Sequence, residues 1–159
     1  MQKSSAGDER LEILTSDHLP VVGELEARCF SAPWSVDGIR ETLDEGGSGT
    51  VLHRGDLLVG YLLTRRLPVG VEILKLGVEP NQRRRGFARR LVQDGLRRWT
   101  ADGVESVWLE VRESNNAARR LYAGYGFVEV GRRPHYYLAP VEDALVLSLD
   151  LGEFPDGER

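Results

Sequence analysis

The segment richest in potential chemistry runs from a strand end at Val78-Glu79-Pro80 through the turn Asn81-Gln82-Arg83-Arg84-Arg85-Gly86 to a helix opening at Phe87-Ala88. A helix N-terminus presents unpaired N–H groups and the positive end of the macrodipole. Gly86 and Ala88 are small, so the backbone can approach a ligand closely, and the segment reads as a site for a phosphate or pyrophosphate. The glycine spacing is not G-x-G-x-x-G and no Gly-Lys-Ser/Thr follows, so neither the dinucleotide fingerprint nor the P-loop fits. From the residues alone, a solvated basic helix start remains the alternative.

A second group lies between Val107 and Tyr122. Strand alternation places Trp108, Glu110 and Arg112 on one face and Val107, Leu109 and Val111 on the other. A partly desolvated carboxylate beside a tryptophan could take a proton near neutral pH. The competing reading is a solvent-facing Glu110 paired with Arg112. Ser114 is expected to cap the helix that follows, with Asn115 and Asn116 as turn residues. Tyr122, two turns on, is either a core aromatic or a proton donor.

These residues need a framework. Leu11 to Leu14 reads as a first strand, and Leu19 to Phe30 as a helix with an apolar stripe at Val22, Leu25, Cys29 and Phe30. Ser16 or Asp17 is its expected cap, with Pro20 in the first turn. Ser35 caps a second short helix that ends in Gly46-Gly47-Ser48-Gly49. Thr50 to His53 and Leu57 to Thr64 read as a hairpin around Arg54-Gly55-Asp56. Val71 to Val78 is the next strand, and Ala88, Leu91, Val92, Leu96 and Trp99 mark the long helix, closed by Gly103. Ser106 to Val111 is a strand, Asn115 to Ala123 a helix, and Phe127 to Val130 and Ala144 to Leu149 the last strands. The expected architecture is α/β (α+β), in the order β-α-α-β-β-β-α-β-α-β-β, with a mixed, mostly antiparallel central sheet flanked by helices. Two neighbouring parallel strands should bracket the long helix.

At 159 residues, 41% apolar and 29% charged, the chain has the profile of a soluble single domain. Residues 9–151 are the expected domain, and the polar ends 1–8 and 152–159 the expected flexible tails. The longest apolar run, Leu57 to Leu63, is too short to cross a membrane, and the polar start lacks a secretory signal, so the expected location is the cytoplasm. A single cysteine, Cys29, excludes a disulfide framework and a cysteine-rich zinc site. His18, His53 and His135 are spaced as isolated residues, and no metal is expected.

The net charge is −4, yet 19 of the 21 basic residues are arginine, and seven of these fall between Arg83 and Arg98. A basic segment in an acidic chain points to a specific anion more than to nucleic acid. A nucleic-acid-binding module, the non-enzymatic alternative, lacks interleaved aromatics, and Arg90, Arg97 and Arg98 are expected on the solvent side of their helix.

Arg83-x-x-Gly86-x-Ala88 resembles the acyl-CoA signature of the GCN5-related N-acetyltransferases, Gln/Arg-x-x-Gly-x-Gly/Ala, and the element order resembles theirs from Arg10 to Leu151. Within that superfamily the chain is most similar to the RimI-type branch, which acetylates the N-terminal alanine of a small-subunit ribosomal protein. The matching residues are Leu109-Glu110-Val111-Arg112-x-Ser114-Asn115, Leu121-Tyr122, Ala32-Pro33-Trp34-Ser35, Glu72-Ile73-Leu74, Arg132 to Tyr137, and Glu142-Asp143-Ala144. The resemblance implies acetyl-CoA as cofactor, coenzyme A as product and no metal. It implies cofactor contacts at Leu76, Gly77, Val78, Arg84, Arg85, Gly86, Phe87, Ala88, Arg89 and Asn115. Glu110 becomes the general base and Tyr122 the general acid. Trp34, Tyr136 and Tyr137 become walls for the substrate, with Glu72 or Asp143 attracting its positive charge. Two positions depart from the commonest pattern: Ala88 stands for the final glycine, and Gly77 for an alanine in the cofactor strand. The implied partner is a protein N-terminus, with no nucleic acid and no membrane, and the chain itself is expected to be a monomer or weak oligomer. A small amine or a lysine side chain is the alternative acceptor.

Overall fold

A computed structural model describes residues 8–152. The expected tails lie outside that range, apart from Asp8 and Gly152. The strands are β1 (Glu9–Ile13), β2 (Ser48–Arg54), β3 (Leu57–Leu67), β4 (Gly70–Val78), β5 (Ser106–Arg112), β6 (Val128–Leu138) and β7 (Val141–Asp150). The helices are α1 (Leu19–Cys29), α2 (Val36–Asp44), α3 (Phe87–Ala101) and α4 (Asn116–Gly124). Two 3₁₀ turns, Ser16–His18 and Pro80–Gln82, precede α1 and α3. The order of elements is the one read from the sequence.

Strand neighbours follow β1-β2-β3-β4-β5-β7-β6. β4 and β5, the strands on either side of α3, run parallel as expected. The pairs β1–β2, β2–β3, β5–β7 and β6–β7 are antiparallel. The described chain divides into two compact units. One holds the residues up to Arg65 and Lys75–Gly95; the other holds Arg66–Leu74 and the residues from Leu96.

The core of the first unit is built on β3, whose residues from Leu58 to Thr64 are all buried, the pattern of a strand covered on both faces. α1 buries Leu19, Val22, Leu25 and Glu26. Ser35 caps α2, its hydroxyl accepting the Gly38 N–H at 3.0 Å. The expected capping of α1 by Ser16 or Asp17 is not what forms. Those residues are spent in the 3₁₀ turn, His18 stands at the helix entry without a side-chain cap, and the Thr15 N–H donates to His18 Nδ1 at 3.0 Å.

In the second unit β5 alternates as expected, with Val107, Leu109 and Val111 buried. β6 is much longer than its expected span. Almost every one of its residues is exposed, so no alternation marks it in the sequence, and it lies at the sheet edge. Its pairing with β7 shifts register between Glu129 and Gly131 and again between Arg133 and Tyr137. The second irregularity contains Pro134 and the left-handed His135 (φ 52°), and edge strands and bulges are where a proline fits within a sheet.

Candidate active site

In the first unit, β4 ends at Val78 and the chain turns through Pro80–Gln82 toward α3. The Glu79 N–H donates to the Val59 carbonyl at 2.8 Å. The Val78 carbonyl accepts from Arg83 Nε at 3.2 Å and from Cys29 Sγ at 3.3 Å. Arg28 grips the Glu79 carboxylate with Nη2 at 2.6 Å and Nε at 3.1 Å. The turn is therefore fixed from outside, and its own backbone donors need not hold it. Arg84 (φ 65°) and Gly86 (φ 82°) are both left-handed, a turn conformation that gathers successive N–H groups into an anion-binding concavity. A Cβ built on Gly86 would meet nothing within 4 Å, so the turn faces open space. The first intrahelical bond runs from the Arg90 N–H to the Gly86 carbonyl at 3.0 Å, leaving the Phe87 and Ala88 N–H groups ahead of the helical ladder.

The arginine cluster divides by partner. Arg84 and Arg85 are exposed at the turn. Arg83 is folded back onto Val78. Arg90, expected in solvent, is half-buried and ion-paired with Glu9.

Gly77 has a steric reason. A Cβ there would lie 2.6 Å from Cε1 of Tyr61, a fully buried ring. The space that an alanine would need is filled by that tyrosine.

The same ring leads to a group that sequence reasoning missed. Glu26 is fully buried in α1 and accepts from Tyr61 Oη, from the Trp34 N–H at 2.6 Å and from Lys75 Nζ at 3.2 Å. Lys75 Nζ also lies 4.1 Å from the centre of the Phe30 ring and 5.0 Å from that of Trp34. Burial and the adjacent carboxylate push the Tyr61 phenol far up. One carboxylate thus ties the Pro33-Trp34-Ser35 connection to β3 and β4. The signal was present: Glu26 falls inside the apolar stripe of α1, one residue after Leu25 and four after Val22. Glu26→Gln strands the Lys75 ammonium in a nearly dry place. It is expected to cost about 3 kcal/mol, the low end for breaking a buried pair, read as a lower midpoint in urea unfolding.

In the second unit, Glu110 is half-buried on the face predicted for it. Its partner is not Arg112 but Arg133, whose Nε lies 2.8 Å from Oε1. Arg133 pairs across β6–β7 with Ala144, and Ala144 pairs across β7–β5 with Arg112. Arg133 therefore shares a sheet face with Arg112 and Glu110, and its side chain reaches across β7 to the β5 carboxylate. Arg112 is occupied elsewhere: its guanidinium lies 4.1 Å from the Tyr137 ring centre and 3.4 Å from Glu142.

Tyr136 and Tyr137 meet edge to face, with ring centres 5.1 Å apart. Burial and then the Glu110 charge push Tyr137 up to about 12, and Tyr136 is raised by burial, Glu110 and Glu72. Glu72 pairs in register with Trp108, which puts it on the face that carries Glu110. Five expected residues are therefore neighbours: Glu72, Trp108, Glu110, Tyr136 and Tyr137. Asp143 is not available to a substrate's charge. It accepts from Arg132 and from the His135 N–H, each at 2.9 Å, and these donors hold it below the usual carboxylate range.

Tyr122 is buried, edge to face with Phe127 at 5.2 Å, and burial pushes its phenol well above the ordinary value. Asn115, not Ser114, caps α4: its Oδ1 accepts the Ala118 N–H at 3.1 Å. The Ser114 N–H donates instead to Glu142 Oε2 at 2.6 Å. An open groove of about 410 Å³ beside α4 is lined by Arg119, Arg120, Phe127 and Leu145, and its lining includes neither Glu110 nor Tyr122.

Two of the histidines are not isolated. His18 and His53 approach to 5.8 Å between ring centres, with Glu12 Oε2 3.4 Å from His18 Nε2. A neutral His18 that accepts the Thr15 N–H at Nδ1 carries its proton on Nε2, toward Glu12. No His18 lone pair is then left for a cation; Glu12 and His18 are paired, and His53 meets them through its ring, its buried Nδ1 without a hydrogen-bond partner among the described residues.

The model of the acetyltransferase (GNAT) family matches residues 19–127. The chain belongs to that family. As a GNAT enzyme it is an acetyl-CoA-dependent N-acetyltransferase. The match takes in the arginine turn, β5 and α4, and stops before β6. Similarity to individual GNAT proteins extends further. The chain is 30% identical over 143 residues to the [ribosomal protein bS18]-alanine N-acetyltransferase of Salmonella typhimurium, covering 89% of this chain and 97% of that one. It is 37% identical over 137 residues to the N-alpha-acetyltransferase RimI of Mycobacterium tuberculosis, with coverage of 82% and 85%. Among solved structures, the ribosomal-protein-S18-alanine N-acetyltransferase of Escherichia coli superposes with a TM-score of 0.86 at 26% identity, over 95% of this chain and 99% of that one. Among the described residues, no helix of this GNAT enzyme is long and apolar enough to cross a membrane.

Proposed function

We propose that this enzyme acetylates the N-terminal amine of a protein, and specifically the N-terminal alanine of a small-subunit ribosomal protein. The observation that carries the reading is the 30–37% identity, over more than four-fifths of each chain, to enzymes named for N-terminal acetylation. The grouping of Glu72, Glu110, Tyr136 and Tyr137 supports it, because two carboxylates between aromatic walls suit a compact cation.

Acetyl-CoA, when bound, supplies the activated acetyl group and a thiolate leaving group. The turn fits its pyrophosphate chemically: small residues, convergent N–H groups and exposed guanidinium groups. In this reading the backbone from Arg84 to Arg89 holds the pyrophosphate, Leu76 to Val78 offers strand-edge groups to the pantetheine arm, and N–H groups at Gly77 and Val78 polarise the carbonyl. Asn115, its Oδ1 committed to the cap, would contribute through its amide N–H₂. Glu110 removes a proton from the acceptor ammonium, and Tyr122 donates one to the departing sulfur. An α-amino group has a pKa of about 7.7–8.0 against about 10.4 for lysine, so a carboxylate is base enough for a protein N-terminus.

Arg85→Ala removes an exposed charge from the turn and leaves the backbone. The Michaelis constant for acetyl-CoA is expected to rise by up to about fivefold, the ceiling for an exposed ion pair, with kcat little changed. The reading itself is tested by incubating the protein with acetyl-CoA and peptides that differ only in their first residue, with acetylation read by mass. Transfer to an alanine-starting peptide is the expected result. Its absence, with brisk transfer to a small amine, overturns the reading.

A further inference from the structure

Glu110 is already answered by a cation before any substrate arrives. Arg133 Nε lies 2.8 Å from Oε1, and the two side chains differ sharply in exposure, 59% for Arg133 and 19% for Glu110. The carboxylate is anchored on β5 and the arginine reaches it from the edge strand, across β7. The other groups around the carboxylate are Trp108 and Arg112 on its own strand, Glu72 on β4, and Tyr136 and Tyr137 on β6. The Arg133 guanidinium carbon is 5.8 Å from the Tyr136 ring centre. Arg112 already faces Glu142 and Tyr137. Arg133 is thus the cation on Glu110, and it is mostly in solvent, where a long side chain can swing away at little cost.

We propose that Arg133 stands in for the acceptor's ammonium: its guanidinium occupies the position on Glu110 that the substrate amine must take, and the amine binds by displacing it. This rests on the reading of Glu110 as the acceptor's base. Arg133 is then a specificity-determining residue. It keeps the carboxylate neutralised between turnovers, and it sets a threshold that an acceptor passes only by bringing its own positive charge. An uncharged or already acetylated terminus brings none.

Arg133→Gln removes the competitor, and Arg133→Lys keeps a cation in place. Steady-state kinetics with an alanine-starting peptide are to be paired with equilibrium binding of that peptide in its free and N-acetylated forms. For Arg133→Gln the peptide Michaelis constant should fall about two- to fivefold, the range of an exposed ion pair. The constant for acetyl-CoA and kcat should stay near their natural values. The free-amine peptide should bind more tightly by the same factor, and the N-acetylated peptide should bind both proteins equally. Arg133→Lys should resemble the natural protein. A higher peptide Michaelis constant, an equal shift for both peptides, or no shift at all overturns the proposal. If the natural protein ignores peptides and acetylates a small amine, the N-terminal reading falls. The same comparison, made with that amine and its acetylated form, then decides the role of Arg133.

Discussion

Replacing Glu110 by glutamine is expected to lower kcat by about 10²- to 10⁴-fold, the usual worth of a positioned proton transfer. The substitution is nearly isosteric. A glutamine carbonyl can still accept from Arg133 Nε, and the buried face of β5, formed by Val107, Leu109 and Val111, is untouched. What disappears is the group that takes a proton from the acceptor ammonium. The Michaelis constant for acetyl-CoA and the unfolding midpoint should therefore stay close to those of the natural protein, while initial rates collapse. A variant with full kcat would remove Glu110 from the mechanism. Comparison with Arg133→Gln separates the two contributions: loss of the base lowers kcat, whereas loss of its resident cation lowers the peptide Michaelis constant.

Tyr122→Phe is expected to lower kcat by a similar factor for the opposite half of the proton balance. The ring is buried against Phe127, so the phenylalanine variant keeps the packing and loses only the hydroxyl. Burial disfavours the phenolate and raises the Tyr122 pKa above its ordinary value. The folded state then holds this proton more tightly than the unfolded chain does. Its contribution to stability is complete below the unfolded phenol pKa of about 10 and is lost only as pH rises through the higher folded value. For activity, the acid form persists throughout the neutral and mildly alkaline range. The kcat of the natural protein should accordingly show no loss through Tyr122 between about pH 8 and 10. An alkaline limb in that range that Tyr122→Phe abolishes would show the phenol titrating near its ordinary value and would contradict the upward shift that burial gives it.

Much of the architecture is legible in local patterns. Helical and strand periodicities are set by residues a few positions apart, so the α3 stripe and the inward and outward faces of β5 follow from short windows of sequence. The order of elements and the parallel β4–β5 pair follow from them as well. The expected elements fail where the local signal is missing. β6 is exposed along nearly its whole length, so it carries no alternation, and its irregularity at Pro134 and His135 resembles a turn. Caps slip by a residue or more for a related reason. Ser114 and Asn115 are both good capping residues; Asn115 takes the Ala118 N–H, while Ser114 is held by Glu142, distant in sequence, through its backbone and its side chain.

Local residue patterns are enough to place a glycine- and arginine-bearing turn at a helix start, Glu110 on the less buried face of its strand, and Tyr122 on the next helix. What each of these groups touches is set by the packing of distant elements. Arg112, two residues away on the same face, was the obvious partner for Glu110. The β5–β7–β6 register instead delivers Arg133 across β7, and Arg112 goes to Glu142 and Tyr137. Glu26 and Lys75 likewise become a buried pair across forty-nine positions of sequence, and Gly77 has its reason in Tyr61. The physical cause is the same throughout. A backbone conformation is chosen largely by near neighbours along the chain, whereas a charge or a cavity is satisfied by whatever strand pairing and helix packing bring within a few ångströms.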